Sequence, residues 1–428
     1  MRKKLSPKDA VAASNATDSS MVSGQIVADR SLPSAKNGTL QTKPRKPGRI
    51  VELDILRGFL LLWMTLTHLP TKASIISNQT FGFVSGAEGF IFLAAFMVGQ
   101  IENRIQQQRG ELATLRDVSK RALRIYLYHC ALLAIAFTLV AEIGAGFQRL
   151  AIQNLLSFYL QRPENAILSG ALLEYRPSLL DILPMYIVFL LITPLARAIA
   201  KRWSWDPVIY LSLTLWAAAQ FGLRAWMYRH VDLFGLGVPE NSTGAFDSYA
   251  WQFLWIAGLA LGSINAGRSS SVESPSATSD SEIGISKTLL AFSFIVAAFF
   301  LVLRYSPVDQ WMDANRYGWL IDKWHLGPAR LINFSAVTIL LVRFGTRIAA
   351  LPFLAPLAAL GRASIEVFSV HVLCCVGAVA LSRDADPNLP WWQQILVLLV
   401  TISALFITAH LHQKRAARKR REAEAASA

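Results

Sequence analysis

Ten stretches of the chain are apolar enough and long enough to cross about 30 Å of hydrocarbon. They fall at about 52–70, 82–101, 122–146, 178–199, 207–227, 248–265, 286–304, 328–345, 354–381 and 391–411. Gln252 and Asn333 interrupt the sixth and eighth. Polar and basic stretches separate the runs, and the pattern predicts an all-α, polytopic integral membrane helix bundle with about ten transmembrane helices. The composition agrees. Of 428 residues, 53% are hydrophobic and only 16% charged, with a mean hydropathy of +0.38, where a soluble domain carries roughly 25% charged residues.

The distribution of Lys and Arg orients this bundle, because cytoplasmic loops retain excess positive charge. With the N-terminus inside, the inner tails and loops hold 29 Lys and Arg and the outer loops hold 10, which places both termini in the cytoplasm. The net charge of +14 therefore belongs to tails and alternate loops, not to one basic face that would bind nucleic acid. Residues 1–48 have no apolar core of the kind a signal peptide needs and read as a disordered basic tail. Residues 49–412 form the membrane domain, 267–284 a polar cytoplasmic linker within it, and 413–428 a second basic tail that anchors to the inner leaflet. The outer loops 147–177, 228–247 and 304–330 are long and rich in Trp, Tyr, Arg and Asn. They either fold over an external site or supply interfacial aromatics.

Ionisable residues inside apolar segments are costly and mark a pathway or a site. The first segment carries several. At 100° per residue, Asp54, Arg57, Leu61 and His68 fall within about 60° of one another, so one stripe holds the polar groups. Arg57 and His68 are separated by about 16 Å along the axis. Asp54 and Arg57 also have the i,i+3 spacing of a pair that merely lets the helix insert, but such a pair leaves His68 unexplained. The orientation brings other polar side chains to the depth of His68: Glu88, Asp181, Trp251, Gln252, Arg330, Asn333 and His371. Each alone is compatible with a satisfied buried hydrogen bonder; together they suggest a site open to the outer face. On the inner side, Arg121 and Arg124 are candidates for a phosphate-bearing donor, although positive-inside anchoring places arginines there too.

Other chemistry is missing from the chain. It contains no GxxxxGK loop, GxSxG elbow or HExxH pair, and no metal site is expected. Cys130, Cys374 and Cys375 have no CxxC spacing and read as apolar packing. Gly82/Gly86 and Gly258/Gly262 have GxxxG spacing, a weak signal for close helix contact.

Seven stretches in order, "ELDILRG" followed by a histidine, "GFVSGAEGFIFLAAFMVG", "RALRIYLYH", "LLDILPMY", "AWQFLW", "PARLINF" and "LGRASIEVFSVH", resemble the OpgC family over residues 49–412. That family is associated with succinylation of osmoregulated periplasmic glucans and is related to the acyltransferase 3 group of membrane O-acyltransferases. The resemblance implies a bacterial inner-membrane enzyme that takes an acyl group, succinyl in the expected case, from a cytoplasmic acyl-CoA. The acceptor would be a periplasmic glucan hydroxyl. Acyl-CoA is then a substrate, with no permanently bound cofactor, and the lipid bilayer and glucan synthesis proteins are the expected partners. In the acyltransferase 3 group the first-helix arginine and histidine are functional, matching Arg57 and His68 here.

On this reading His68 is the general base or forms an acyl-histidine relay. Glu88 or Asp181 orients it, His371 assists, and Arg57 or Arg330 steadies negative charge. Asp54, Trp251, Gln252, Arg330 and Asn333 are the expected substrate-binding residues, and Arg121 and Arg124 the donor-binding ones. Two rival readings remain: a transporter for a glucan or acidic metabolite along the same stripe, and a sensor or scaffold in which the polar groups only hold the bundle.

Overall fold

The computed structural model describes residues 50–231, 234–271, 285–307, 313–382, 384 and 389–426. The expected tail 1–48 and residues 272–284 of the expected linker lie outside them. No strand occurs among the described residues. The helices in chain order are α1 (Val51–His68), α2 (Lys72–Ser77), α3 (Gly86–Arg109) and α4 (Glu111–Ile135), with α4 running through a π turn into α5 (Ala141–Gly146). Three short helices follow, α6 (Leu150–Leu155), α7 (Ser157–Gln161) and α8 (Pro163–Ala171). The rest are α9 (Ile182–Trp203), α10 (Asp206–Gln220), α11 (Leu223–His230), α12 (Ser248–Ser271), α13 (Lys287–Arg304), α14 (Ala314–Ile321), α15 (Pro328–Ala349), α16 (Leu357–Arg362), α17 (Ser364–Val379) and α18 (Trp391–Ala425).

Five spans are long and apolar enough to cross a membrane, and seven if two bent pairs each count as one. The expected runs 207–227 and 354–381 are these pairs, bent by 82° and 91°. The first bend falls where Gly222 takes φ +85°, a conformation glycine enters without strain. The remaining three expected segments, α1, α3 and α12, are helical but more polar. Four of their ionisable and amide side chains, Asp54, Glu88, Glu102 and Gln252, are buried.

Those three helices pack through glycines. Gly258 and Gly262 of α12 lie against the Phe92 and Phe96 carbonyls of α3, so that GxxxG spacing does mark a close helix contact. Gly82 and Gly86 do not act as such a pair, because Gly82 precedes the helix in a turn with φ +87°. A second close contact sets the site: Gly58 of α1 meets the Leu357 carbonyl and Gly361 of α16 meets the Asp54 carbonyl. No side chain fits between these backbones, and the approach brings the start of α17 against α1.

Two helix ends differ from expectation. α12 continues to Ser271, so the polar linker begins later than 267, and α18 continues through the basic run to Ala425. The α18 extension is rich in Ala, Lys, Arg and Glu, which are good helix formers. At the other end of the chain order, α1 stops at Leu69, which is extended at ψ 136° because Pro70 disfavours the helical region for its predecessor.

Candidate active site

The two ends of α1 meet different surroundings. At the Arg57 end, the guanidinium donates to Ser364 Oγ at 2.6 Å, and Asp54 is buried one turn away. Arg57 and Arg121 both lie near enough to the Tyr186 hydroxyl for their charges to act on it. Arg121 also pairs with Asp117 at 3.3 Å. Arg124 stands apart from this group: its exposed guanidinium pairs with Glu366 at 2.5 Å, which also meets Tyr128 and His412. This contact ties α4 to α17 and α18.

At the other end, His68 Nδ1 lies 3.4 Å from His371 Nε2, and His371 Nδ1 lies 3.5 Å from Cys375 Sγ. Cys375 sits one turn after His371 on the same helix and is fully buried. The contacts fit two sets of tautomers, and one of them leaves His68 able to act as a base. If Nδ1–H of His68 donates to His371, then Nδ1–H of His371 donates to the sulfur, and Nε2 of His68 is left with a free lone pair. The His68 imidazole, expected to be oriented by Glu88 or Asp181, is thus held by His371.

The two carboxylates have other partners. Glu88 takes the Ser85 N–H at 3.0 Å with the Ser85 hydroxyl on the same oxygen, closing the start of α3 as in a capping box. Its second oxygen takes Arg330 Nη1 at 2.5 Å, and both side chains are fully buried. Asp181 accepts the Ala245 N–H at 3.0 Å.

Arg330, Trp251 and residues of α10 converge on a segment that the sequence reading did not identify, Ile321–Leu326. Arg330 Nε donates to the Ile321 carbonyl, Trp251 Nε1 to those of Lys323 and Trp324, Gln220 to that of His325 and Trp216 to that of Leu326. The Asp247 N–H also donates to Trp324. Leu326 is held at φ +51°, sparsely populated by residues with a Cβ. This lattice of donors fixes Lys323, whose charge acts on His68, Glu88 and Asp181. Burial pushes its ammonium below the ordinary lysine range, with Glu88 pulling the other way. The segment "IDKWHLG", in a loop rich in aromatic residues, was the available signal for it.

The remaining expected substrate-binding residues hold the frame. Gln252 donates to the Ser212 carbonyl and accepts from the Ser212 hydroxyl at 2.6 Å, joining α10 to α12. Asn333 donates to the Phe81 carbonyl at 3.1 Å, fixing the turn before α3. A cavity of about 510 Å³ is lined by Thr67, the residue before His68, and by Asn78, Gln79, Arg304, Lys323 and Trp324, among others. Among the described residues, no cluster of three or more His, Cys, Asp or Glu could hold a metal ion.

A family model described as OpgC protein matches residues 49–417. Comparison with curated proteins and with solved structures returned no match.

Proposed function

This chain belongs to the OpgC family, and from that membership we propose that it is a membrane O-acyltransferase. It moves an acyl group, succinyl in our reading, from a cytoplasmic acyl-CoA to a hydroxyl of a periplasmic glucan. The observation that carries the reading is the His68–His371–Cys375 chain at 3.4 and 3.5 Å, beside a cavity and about 16 Å along α1 from Arg57.

A sugar hydroxyl is a poor nucleophile near neutral pH, so its proton must leave as it attacks. His68 Nε2 takes that proton. The hydroxyl oxygen then bonds to the thioester carbonyl carbon, the C–S bond breaks, and the leaving thiolate recovers a proton from the imidazolium. His371 and Cys375 position the imidazole and do not touch the reacting atoms. Arg57 and Arg121 are suited to the phosphates of the donor, since a guanidinium binds phosphate through a planar fork. Arg124 is committed to Glu366 and supports the bundle.

The arrangement in the bilayer belongs to the same proposal. The five long spans and two bent pairs, with the polar helices α1, α3 and α12 in the bundle interior, make ten crossings of the bacterial inner membrane with both termini cytoplasmic. Reporter fusions after residue 240 should then read as periplasmic, and the reverse would undo the two-sided mechanism.

The direct test uses purified protein in detergent with a labelled acyl thioester and glucan. Label should appear on the glucan and the free thiol should accumulate in equal amount. Uptake of glucan or metabolite into vesicles without any covalent change would replace the enzyme by a transporter.

A further inference from the structure

The cavity that opens at Thr67, the residue before His68, is lined among the described residues by two cationic side chains, Lys323 and Arg304, and by no carboxylate. Among the described residues neither cation makes an ion pair. Arg304 Nε is buried without a hydrogen-bond partner, and its guanidinium lies 5.8 Å from the centre of the Tyr305 ring. The Lys323 ammonium lies 5.1 Å from the Trp324 ring and 5.8 Å from that of Phe246. The nearby carboxylates are engaged elsewhere, Glu88 with Arg330 and Asp181 with the Ala245 N–H.

Partly buried cations without counter-charge are costly, and proteins keep them where an anion is to be bound. The backbone beneath Lys323 is also held more firmly than an exposed loop requires, with donors on the carbonyls of residues 321, 323, 324, 325 and 326. Such pre-organisation is what a binding group needs, since little ordering remains to be done when the ligand arrives. Asn78 and Gln79 add side-chain amides to the same wall.

We infer that this cavity binds a carboxylate carried by a substrate, with Lys323 as its principal counter-ion and Arg304 as the second. The inference deepens the acyl-transfer reading and rests on it for the identity of the reaction. A carboxylate at the far end of the acyl chain would lie here when the thioester carbonyl is beside His68. A carboxylate on the acceptor glycan would occupy the same charges from outside.

The experiment uses the full chain in detergent and compares a succinyl thioester with a butyryl thioester, the neutral donor of equal chain length. Lys323→Gln should lower kcat/KM for the succinyl donor about 10–100-fold, the worth of a hydrogen bond to a charged group. Because the Lys323 charge also acts on His68, transfer of butyryl to neutral glucan should change too, but by a clearly smaller factor, so that the preference for succinyl over butyryl falls, and Lys323→Arg should retain most of that preference. Arg304→Gln should act in the same direction by a smaller factor. If only an acidic glycan acceptor loses rate, with either donor, the carboxylate is the acceptor's. Equal losses for charged and neutral substrates would overturn the inference.

A second readout is independent of turnover: calorimetric titration with free succinate and with its neutral diamide. The wild type should bind succinate in preference to the diamide, and Lys323→Gln should lose that preference. If the wild type transfers no acyl group yet shows the preference, the acyl-transfer reading fails and the carboxylate site stands. No preference in the wild type, with transfer intact, sinks the site alone.

Discussion

The Arg57 and His68 ends of the first helix treat positive charge in opposite ways. Around Arg57, cations have partners: Arg121 with Asp117, Arg197 with Glu102, Arg124 with Glu366 and Lys201 with Glu111, all within 3.3 Å. Around His68, Arg330 is paired with Glu88, while Lys323 and Arg304 face a cavity with no carboxylate among the described residues of its lining. Paired charges at the first end join α3, α4, α9 and α17 and leave few donors uncommitted. At the second end Lys323 lacks an ion pair and is placed by donors on the backbone of its own segment and by the Trp324 and Phe246 rings. The difference separates charges tied into the frame from charges that face a cavity.

The sharpest way to break this comparison is at the histidine. His68→Ala should lower acyl transfer about 10²–10⁴-fold, the usual worth of a positioned base, with membrane insertion unchanged because a polar group has been removed from an apolar segment. His68→Gln retains a hydrogen-bonding side chain but no base and should be nearly as inactive. Wild-type rates in the glutamine variant would make His68 a packing residue and move the base to His371.

The paired cation at the same end should answer differently. Glu88→Gln leaves Arg330 buried without its counter-charge, a loss of about 3–5 kcal/mol of stability, read as a lower thermal midpoint in detergent. The Glu88 carboxylate is tied into the capping contact of α3 as well, so the variant should also loosen the turn at 78–85. An unchanged midpoint would show that the pair is not structural.

At the Arg57 end the expected effect is smaller and of another kind. Arg57→Ala should raise the KM for the thioester donor about 10–100-fold, so that saturating donor restores much of the rate. Rescue should fail for His68→Ala. If excess donor fails to rescue Arg57→Ala, the arginine acts on the chemical step, and the division of labour between the two ends is lost.

The smallest effect concerns the segment that carries Lys323. His325 Nδ1 lies 2.5 Å from Asp322 Oδ2, and the hydrogen bond raises the imidazole above its ordinary value. Burial alone would raise the Asp322 carboxyl, but the bonds from His325 and the Trp324 N–H carry it below its ordinary value. The raised histidine stabilises the fold below about pH 6.5 and the benefit fades as pH rises through its folded value. The lowered carboxylate stabilises above about pH 4 and the benefit fades as pH falls through its folded value. The pair is therefore fully effective only between these limits. With His325 42% exposed, solvent screening leaves at most about 0.5–1 kcal/mol. His325→Gln should lower the thermal midpoint slightly at pH 5.5 and less at pH 8. An equal change at both would mean that packing, not charge, holds the segment.

How far the site could be read in advance varies residue by residue. His68 and Arg57 were legible because ionisable groups in an apolar run have few explanations. His371 was legible as a second histidine at the same expected depth, but its contact with His68 was not, since a shared depth says nothing about which helices are neighbours. Glu88 and Arg330 were both identified, yet their engagement with each other depends on α3 and α15 meeting. Trp251, expected to bind substrate, donates to the backbone of Lys323 and Trp324, and a side chain's choice between ligand and frame is invisible until its surroundings are assembled.

What the amino-acid order determined by itself was the helical, membrane-type character of the chain and the polar stripe along its first helix, because period and hydropathy are properties of neighbouring residues. The tertiary structure alone decided that 207–227 and 354–381 bend, that Gly58 and Gly361 let two backbones touch, and that the Lys323 charge reaches His68. Each of these depends on residues far apart in the chain meeting at contact distance, and local sequence pattern carries no record of that meeting.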